Sequence, residues 1–463
     1  MSLKNEGVQP RLLGLTAVSL YKDIWKLAWP VMLASGLNMC FNLVDTFWVS
    51  RLGAVLVSVP SLAGSLLWLF LSLTEAISIG TVAMIARFEG AGRRRLIPNV
   101  FVHSFWLALA MAVLIAVGVS LVATPLVELF TDDVTLIPLA VDYLYITLLG
   151  LILVFGATAI SAALYGIGNT KTPMLVLMIA NGLNLVLDPI LIFGLLGVPA
   201  MGVLGAAWAT LIANGLAMVV LLVVLFRSQE LGVTSLLVPF NSSILANIFK
   251  IGMPASLQSA ARSSTGTVMF WLVMSGYGAA AAAAFGAGQR IIGLIFVFIS
   301  GLSVAATTLI GQVLGSGDKG LARKAARRLI VLGIGVQIAI GLLYVALAYP
   351  VSFLFLGDDA AALAAGVSYV RICGLGLALG ASSSVLGGIF KGAGDTMPTF
   401  LAGFVSNWLV KLPMAAVGTL VFKWPVDNIW WAITASIVVE WLILYVWQRK
   451  GAWLDREIQV SAS

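Results

Sequence analysis

The chain reads as a succession of long apolar runs separated by short polar ones. A run of roughly 20 apolar residues spans the hydrocarbon layer of a bilayer as an α-helix. Twelve such runs occur, at 24–49, 61–86, 100–122, 138–164, 174–194, 204–226, 248–274, 283–313, 328–349, 363–389, 399–421 and 430–447. The pattern predicts an all-α membrane protein with twelve transmembrane helices. The first run is longer than a signal-peptide core and lacks a small-residue cleavage site, so it is expected to stay attached.

The runs fall into two similar sets of six. Trp25-Lys26-Leu27-Ala28-Trp29-Pro30 returns as Phe249-Lys250-Ile251-Gly252-Met253-Pro254, and Tyr165-Gly166-Ile167-Gly168-Asn169-Thr170 as Lys391-Gly392-Ala393-Gly394-Asp395-Thr396. A repeat this long is a duplicated lobe, and paired lobes in membrane proteins usually flank a substrate path. The expected organisation is an N-terminal segment (1–23), a first lobe (24–226), a polar connection (227–247), a second lobe (248–448) and a tail (449–463). Each lobe has an even number of spans. Both therefore enter the membrane the same way round, as pseudo-symmetric halves about a central cleft along the membrane normal.

Composition agrees with this solvent. Hydrophobic residues make up 61% of the chain, charged residues 10%, and there are 47 glycines. Glycine is costly in a water-exposed helix but lets membrane helices approach closely. Cys40 and Cys373 both lie within apolar runs, so small core residues are expected rather than a disulfide or a metal cluster. Arg and Lys gather on the even-numbered connections and the termini, at Lys4, Arg11, Arg87, Arg93, Arg94, Arg95, Lys171, Arg227, Lys319 and Lys450 among others. The positive-inside rule then places both termini in the cytoplasm, with the chain in the cell membrane. This bias accounts for the net +7, so no nucleic-acid partner is implied.

An ionisable side chain at mid-bilayer costs about 2.5–3.5 kcal/mol on insertion scales, so each one needs a reason. In the first span Ser35, Asn38, Asn42 and Asp45 share one helical stripe, opposite Met32, Leu37, Val44 and Trp48. In the fifth, Asn181, Asn184 and Asp188 share another, and Pro189 removes a backbone donor beside it, as Pro30 does in the first span. The second half has no carboxylate at the places matching Asp45 and Asp188. These oxygens suit Na⁺ as well as a proton, although amide stripes also serve as interhelical hydrogen-bond glue. If both aspartates face one cavity they titrate as a pair, and a proton and a cation compete for the same negative charge.

Other buried charges have two readings each. Glu75 extends the acidic cavity or takes a structural ion pair. Gln258, Arg262 and Thr265 form a stripe on the seventh span, Asn407 and Lys411 one on the eleventh, and Glu440 lies midway along the twelfth. Pairing of Glu440 with Lys411 or with Arg262 is expected. Arg290 and Arg371 are expected near the interface, and His103 as a satisfied interfacial residue. The sequence has no Walker loop and no convergent nucleophile or metal set, so an enzyme is not expected.

Several motifs together resemble the multidrug and toxic compound extrusion (MATE) transporters, in particular the prokaryotic DinF-like branch. They are Asn42-Leu43-Val44-Asp45-Thr46-Phe47-Trp48, Asn184-Leu185-Val186-Leu187-Asp188-Pro189, Gly205-Ala206-Ala207-Trp208-Ala209-Thr210, and the turns Gly168–Pro173 and Gly394–Pro398. The resemblance covers essentially the whole chain. It implies twelve helices in two lobes and antiport of organic cations or drugs against H⁺ or Na⁺, by a monomer in contact with membrane lipid and with no cofactor. It also implies an ion-coupling site at Asp45, Asn184, Asp188 and Thr210, where Na⁺ would bind. Asn38, Asn42, Tyr143, Asn181 and Glu75 would line the substrate cavity, with Pro30 and Pro189 as the conformational switch. In another branch a glutamate follows the seventh-span proline by eight residues; here that place is Arg262. A flippase for lipids or lipid-linked precursors is the alternative that Arg262 and Lys411 leave open, since it predicts a basic cavity. A membrane scaffold would need no buried carboxylates in register.

Overall fold

The computed structural model describes residues 17–227, 230–380 and 382–458; Lys4, Arg11 and Gln229 lie outside them. Among the described residues twelve helical segments are long and apolar enough to cross a membrane, as the hydropathy pattern predicts. The first six are α1 (Ala17–Ser50), α2 (Ser58–Gly90), α3 (Ile97–Leu121), α4 (Leu136–Gly166), α5 (Lys171–Phe193) and α6 (Val203–Arg227). Helix α7 (Ser242–Gly315) carries two spans and is interrupted at Gly278, whose φ of 81° and ψ of −173° suit a residue without a Cβ. Then come α8 (Lys319–Ala346), α9 (Ala360–Leu379), α10 (Ser383–Ala393), α11 (Met397–Phe404) and α12 (Val426–Lys450). Large apolar side chains such as Leu114, Leu121, Trp271 and Leu409 point outward, as lipid-facing residues do.

Two predicted spans are less regular than their sequence suggests. The run 363–389 is two helices, α9 and α10, separated around Ser382, which has a φ of 83°. The run 399–421 changes register twice, to π-helix over Val405–Lys411 and again over Val417–Val421. Hydropathy sees neither feature, because both leave the apolar content unchanged.

The chain forms two compact units, and their limits differ from the expected lobes. One comprises Leu33–Gly252; the other joins the start of α1, through Met32, to Met253–Ile458. The divisions fall two residues after Pro30 and one before Pro254. Packing explains the exchange. Leu20, Ile24, Ala28 and Met32 are buried in one core with Leu302, Leu309, Leu329, Leu386 and Phe390. Reciprocally, the opening of α7 lies backbone to backbone on α2: a Cβ added at Gly80 would stand 2.5 Å from the carbonyl oxygen of Ile248. Glycine makes such contacts possible where a larger residue would hold the helices apart.

Within the Leu33–Gly252 unit, α4 packs on α2, α3 and α6, and α5 packs on α6. His103 Nε2 accepts the Asn241 N–H (2.8 Å), so its Nδ1–H donates to the Asn99 carbonyl (2.7 Å). His103 is thus a satisfied residue that ties down the connection after α6. The matching turns share one hydrogen bond: Asn169 N–H to Leu164 O (2.8 Å) and Asp395 N–H to Phe390 O (3.0 Å), with Gly168 and Gly394 at positive φ. Asp133 and Asp359 serve local structure. Asp359 caps α9, and hydrogen bonds from Thr135 hold the Asp133 carboxyl below the usual carboxylate range. Cys373 is buried as expected, whereas Cys40 is exposed on α1, because its side of the helix turns away from the core.

Gly252 gives a test of the exchanged packing. Its added Cβ would lie 1.7 Å from the Ala76 carbonyl oxygen, while one at Gly64, on the same α2, meets nothing within 4 Å. Gly252→Ala is expected to destabilise the protein by about 1–3 kcal/mol, an overpacking cost. Gly64→Ala is expected to be neutral. Thermal unfolding of the two purified variants in detergent compares them.

Candidate functional site

The site forms inside the Leu33–Gly252 unit, from three helices. Asp45 comes from α1, Asn184 and Asp188 from α5, and Thr210 from α6. The spacing of four between Asn184 and Asp188 places them one turn apart on one face, and Asn184 Nδ2 donates to Asp188 Oδ1 (3.3 Å). The same nitrogen reaches Thr210 Oγ1 at 3.4 Å, which ties α5 to α6. Asp188 is fully buried and Asn184 nearly so.

The carboxyl groups of Asp45 and Asp188 lie next to each other. Two carboxylates this close repel strongly, so the contact is favourable only when a proton or a cation lies between them. Asp45 Oδ1 and Asp188 Oδ2 are buried and receive no hydrogen bond from any N–H or O–H of the chain. Buried polar atoms are nearly always partnered, so two open carboxylate oxygens side by side make this pair the candidate site. Asn181 Nδ2, two turns before Asp188, is likewise buried without a partner. Tyr143 of α4 stands within electrostatic reach of both aspartates.

Other residues singled out from the sequence differ in exposure and local bonding. Asn42 and Asn38 are exposed, and Asn42 Nδ2 donates to the Asn38 carbonyl of its own helix (2.8 Å). Glu75 of α2 is also exposed. Pro30 and Pro189 are accommodated within continuous helices. Trp48, read as part of the opposite face of α1, instead carries a buried indole nitrogen without a partner and packs edge-on against Phe193 at 6.1 Å.

In the other unit the two pairings open to Glu440 resolve. Arg262 Nη2 donates to Glu440 Oε1 at 3.2 Å, and Gln258 Nε2 donates to the same oxygen at 3.2 Å. Lys411 Nζ donates to Asn407 Oδ1 at 2.5 Å. Arg262, Asn407, Lys411 and Glu440 line a cavity of about 140 Å³ together with Gln289 and Gln337. The glutamines were missed; each is an isolated amide in an apolar run, a weak signal. Arg290 and Arg371 are exposed.

Comparison with known proteins fits this architecture. The MatE family model matches the chain twice, over residues 30–190 and 254–417, which is the duplication read from the sequence. The probable multidrug resistance protein NorM of Thermotoga maritima is 29% identical over 438 residues, covering 94% of both chains. A FAD transporter of Shewanella oneidensis is 27% identical over 421 residues, 88% of this chain and 90% of that one. A solved outward-facing structure of a multidrug resistance MATE family transporter of the MOP superfamily has the same fold, with a TM-score of 0.88 at 24% identity over 95% of this chain and 97% of that one. The chain therefore belongs to the MatE family and is a multi-pass membrane transporter.

Proposed function

We propose that this protein is a secondary antiporter that exports organic, typically cationic and amphipathic, compounds in exchange for H⁺ or Na⁺. The observation that carries this reading is the buried Asp45–Asp188 contact, braced by Asn184 and Thr210 and holding two carboxylate oxygens without protein partners. One proton or one Na⁺ satisfies the pair; a cationic substrate competes for the same negative charge. Occupancy by one expels the other, and that competition is the whole of the coupling. The ion is cargo here and not a resident cofactor.

The relatives named for multidrug resistance support drug-like cargo, while the FAD transporter leaves room for other molecules within the family. In this reading both termini are cytoplasmic, as the Lys and Arg bias requires. A single chain is the transporting unit, since it carries both halves of the duplication. Pro30 and Pro189, which each remove a backbone donor, are the points at which α1 and α5 bend as access alternates. The membrane potential contributes about 2.3 kcal/mol per net charge moved per 100 mV, so an excess of inward cations over exported charge drives efflux.

Transport by purified protein in liposomes, with pH and Na⁺ gradients imposed separately, is the direct test. At least one gradient is expected to drive uptake of a fluorescent organic cation, and failure of both removes the coupling. Asp45→Asn is expected to reduce driven transport to the rate of empty vesicles with expression intact; retained transport in that variant defeats the site assignment. In weakly buffered detergent solution, saturating cationic substrate or Na⁺ is expected to release protons from the wild type. Asp45→Asn and Asp188→Asn should release none, as a pH indicator would report.

A further inference from the structure

The cavity of the Met253–Ile458 unit carries chemistry opposite to that of the aspartate pair. Its charged residues are Arg262, Lys411 and Glu440, each near the middle of a membrane-spanning helix. Glu440 is already committed, since one of its oxygens accepts from both Arg262 and Gln258. Lys411 donates to Asn407, a neutral amide. Two cations and one carboxylate leave a single positive charge in excess among the residues lining the cavity.

Such an excess is expensive at this depth unless the cavity takes in an opposite charge. A structural explanation accounts for Arg262 and Glu440, which neutralise each other, but not for Lys411. An apolar side chain would fill its place at lower cost. The ammonium has three donor protons and gives one to Asn407, so two remain to be directed elsewhere. Arg262 is 41% exposed while using one nitrogen on Glu440, and its guanidinium lies over the Phe296 ring at 5.7 Å. Asn407 and Lys411 stand on the π-helical stretch Val405–Lys411. Such stretches are rare and are frequently found at functional sites.

Size narrows the ligand. Pockets that enclose a whole drug-sized molecule hold about 300–1,000 Å³. The 140 Å³ here suits one small charged group whose parent molecule continues outside, beside apolar walls that include Phe285 and Phe296.

We propose that this cavity is a subsite for an anionic group, carboxylate or phosphate oxygens, with Lys411 as its counter-charge and Arg262 as a second donor. The preferred ligand is then amphoteric or acidic rather than purely cationic. The inference rests on the transport reading only in taking that ligand to be cargo; binding itself needs no gradient.

The test uses the full-length protein in phosphatidylcholine nanodiscs and two probes, a xanthene dye with a free carboxylate and the methyl ester of the same dye. Fluorescence polarisation reads their binding. Lys411→Gln is expected to weaken binding of the acid by about tenfold or more, the loss of one charge-assisted contact, and to change the ester by less than about twofold. Lys411→Arg, which keeps the charge, is expected to retain the preference for the acid, and inorganic phosphate to compete with the acid alone. If Lys411→Gln affects both dyes equally, or neither, the subsite is refuted.

Nanodiscs of phosphatidylglycerol distinguish the source of the anion. A lipid headgroup in the cavity displaces the acid dye in those discs, and Lys411→Gln abolishes the displacement. A soluble cargo leaves the two disc types alike, and either result supports an anion site. Asp45→Asn tests the coupled transport separately, so failure of one reading is distinguishable from failure of the other.

Discussion

Lipid offers no hydrogen bonds, and that constraint governs everything polar in this chain. Each group carried into the apolar layer must be met by the protein itself or by something the protein carries. Most are met locally. Hydroxyls such as those of Thr46, Ser104 and Thr307 return to the carbonyl one turn back, at 2.7–2.9 Å. His103 saturates both ring nitrogens. Against this background the buried, unpartnered oxygens Asp45 Oδ1 and Asp188 Oδ2 stand out, because a carboxylate is among the costliest groups to leave unmet.

The duplication gave two equivalent frameworks, which have since diverged in charge. The Leu33–Gly252 unit gathers carboxylates and amides; the Met253–Ile458 unit gathers arginine, lysine and one committed glutamate. The frameworks remain alike where geometry is strict, as in the turns at Gly168 and Gly394 with their matching hydrogen bonds. They are linked by reciprocal exchange: the opening of α1 belongs to one core and the opening of α7 to the other. A proline lies within two residues of each division.

The divergence leaves the two units with opposite chemistry: paired carboxylates in one, and an arginine and a lysine against a single carboxylate in the other. In each, the buried charges lie beside amides such as Asn184 and Asn407, which is how a chain in lipid limits the cost of carrying them.

The sequence by itself determined the twelve spans, the duplication and the polar stripes. Each depends on residues a few positions apart: a run long enough to cross the bilayer, or Asn184 and Asp188 one turn apart on a helix. It also marked Asp45 and Asp188 as costly enough to need a purpose. Only the tertiary structure decided that Glu440 takes Arg262 while Lys411 turns to Asn407, and that Trp48 packs against Phe193. The same holds for the core that claims the start of α1, and for the broken helix at Ser382 and the π-helical turns. These outcomes depend on which distant helices approach closely enough to touch, and periodicity along one helix carries no information about its neighbours.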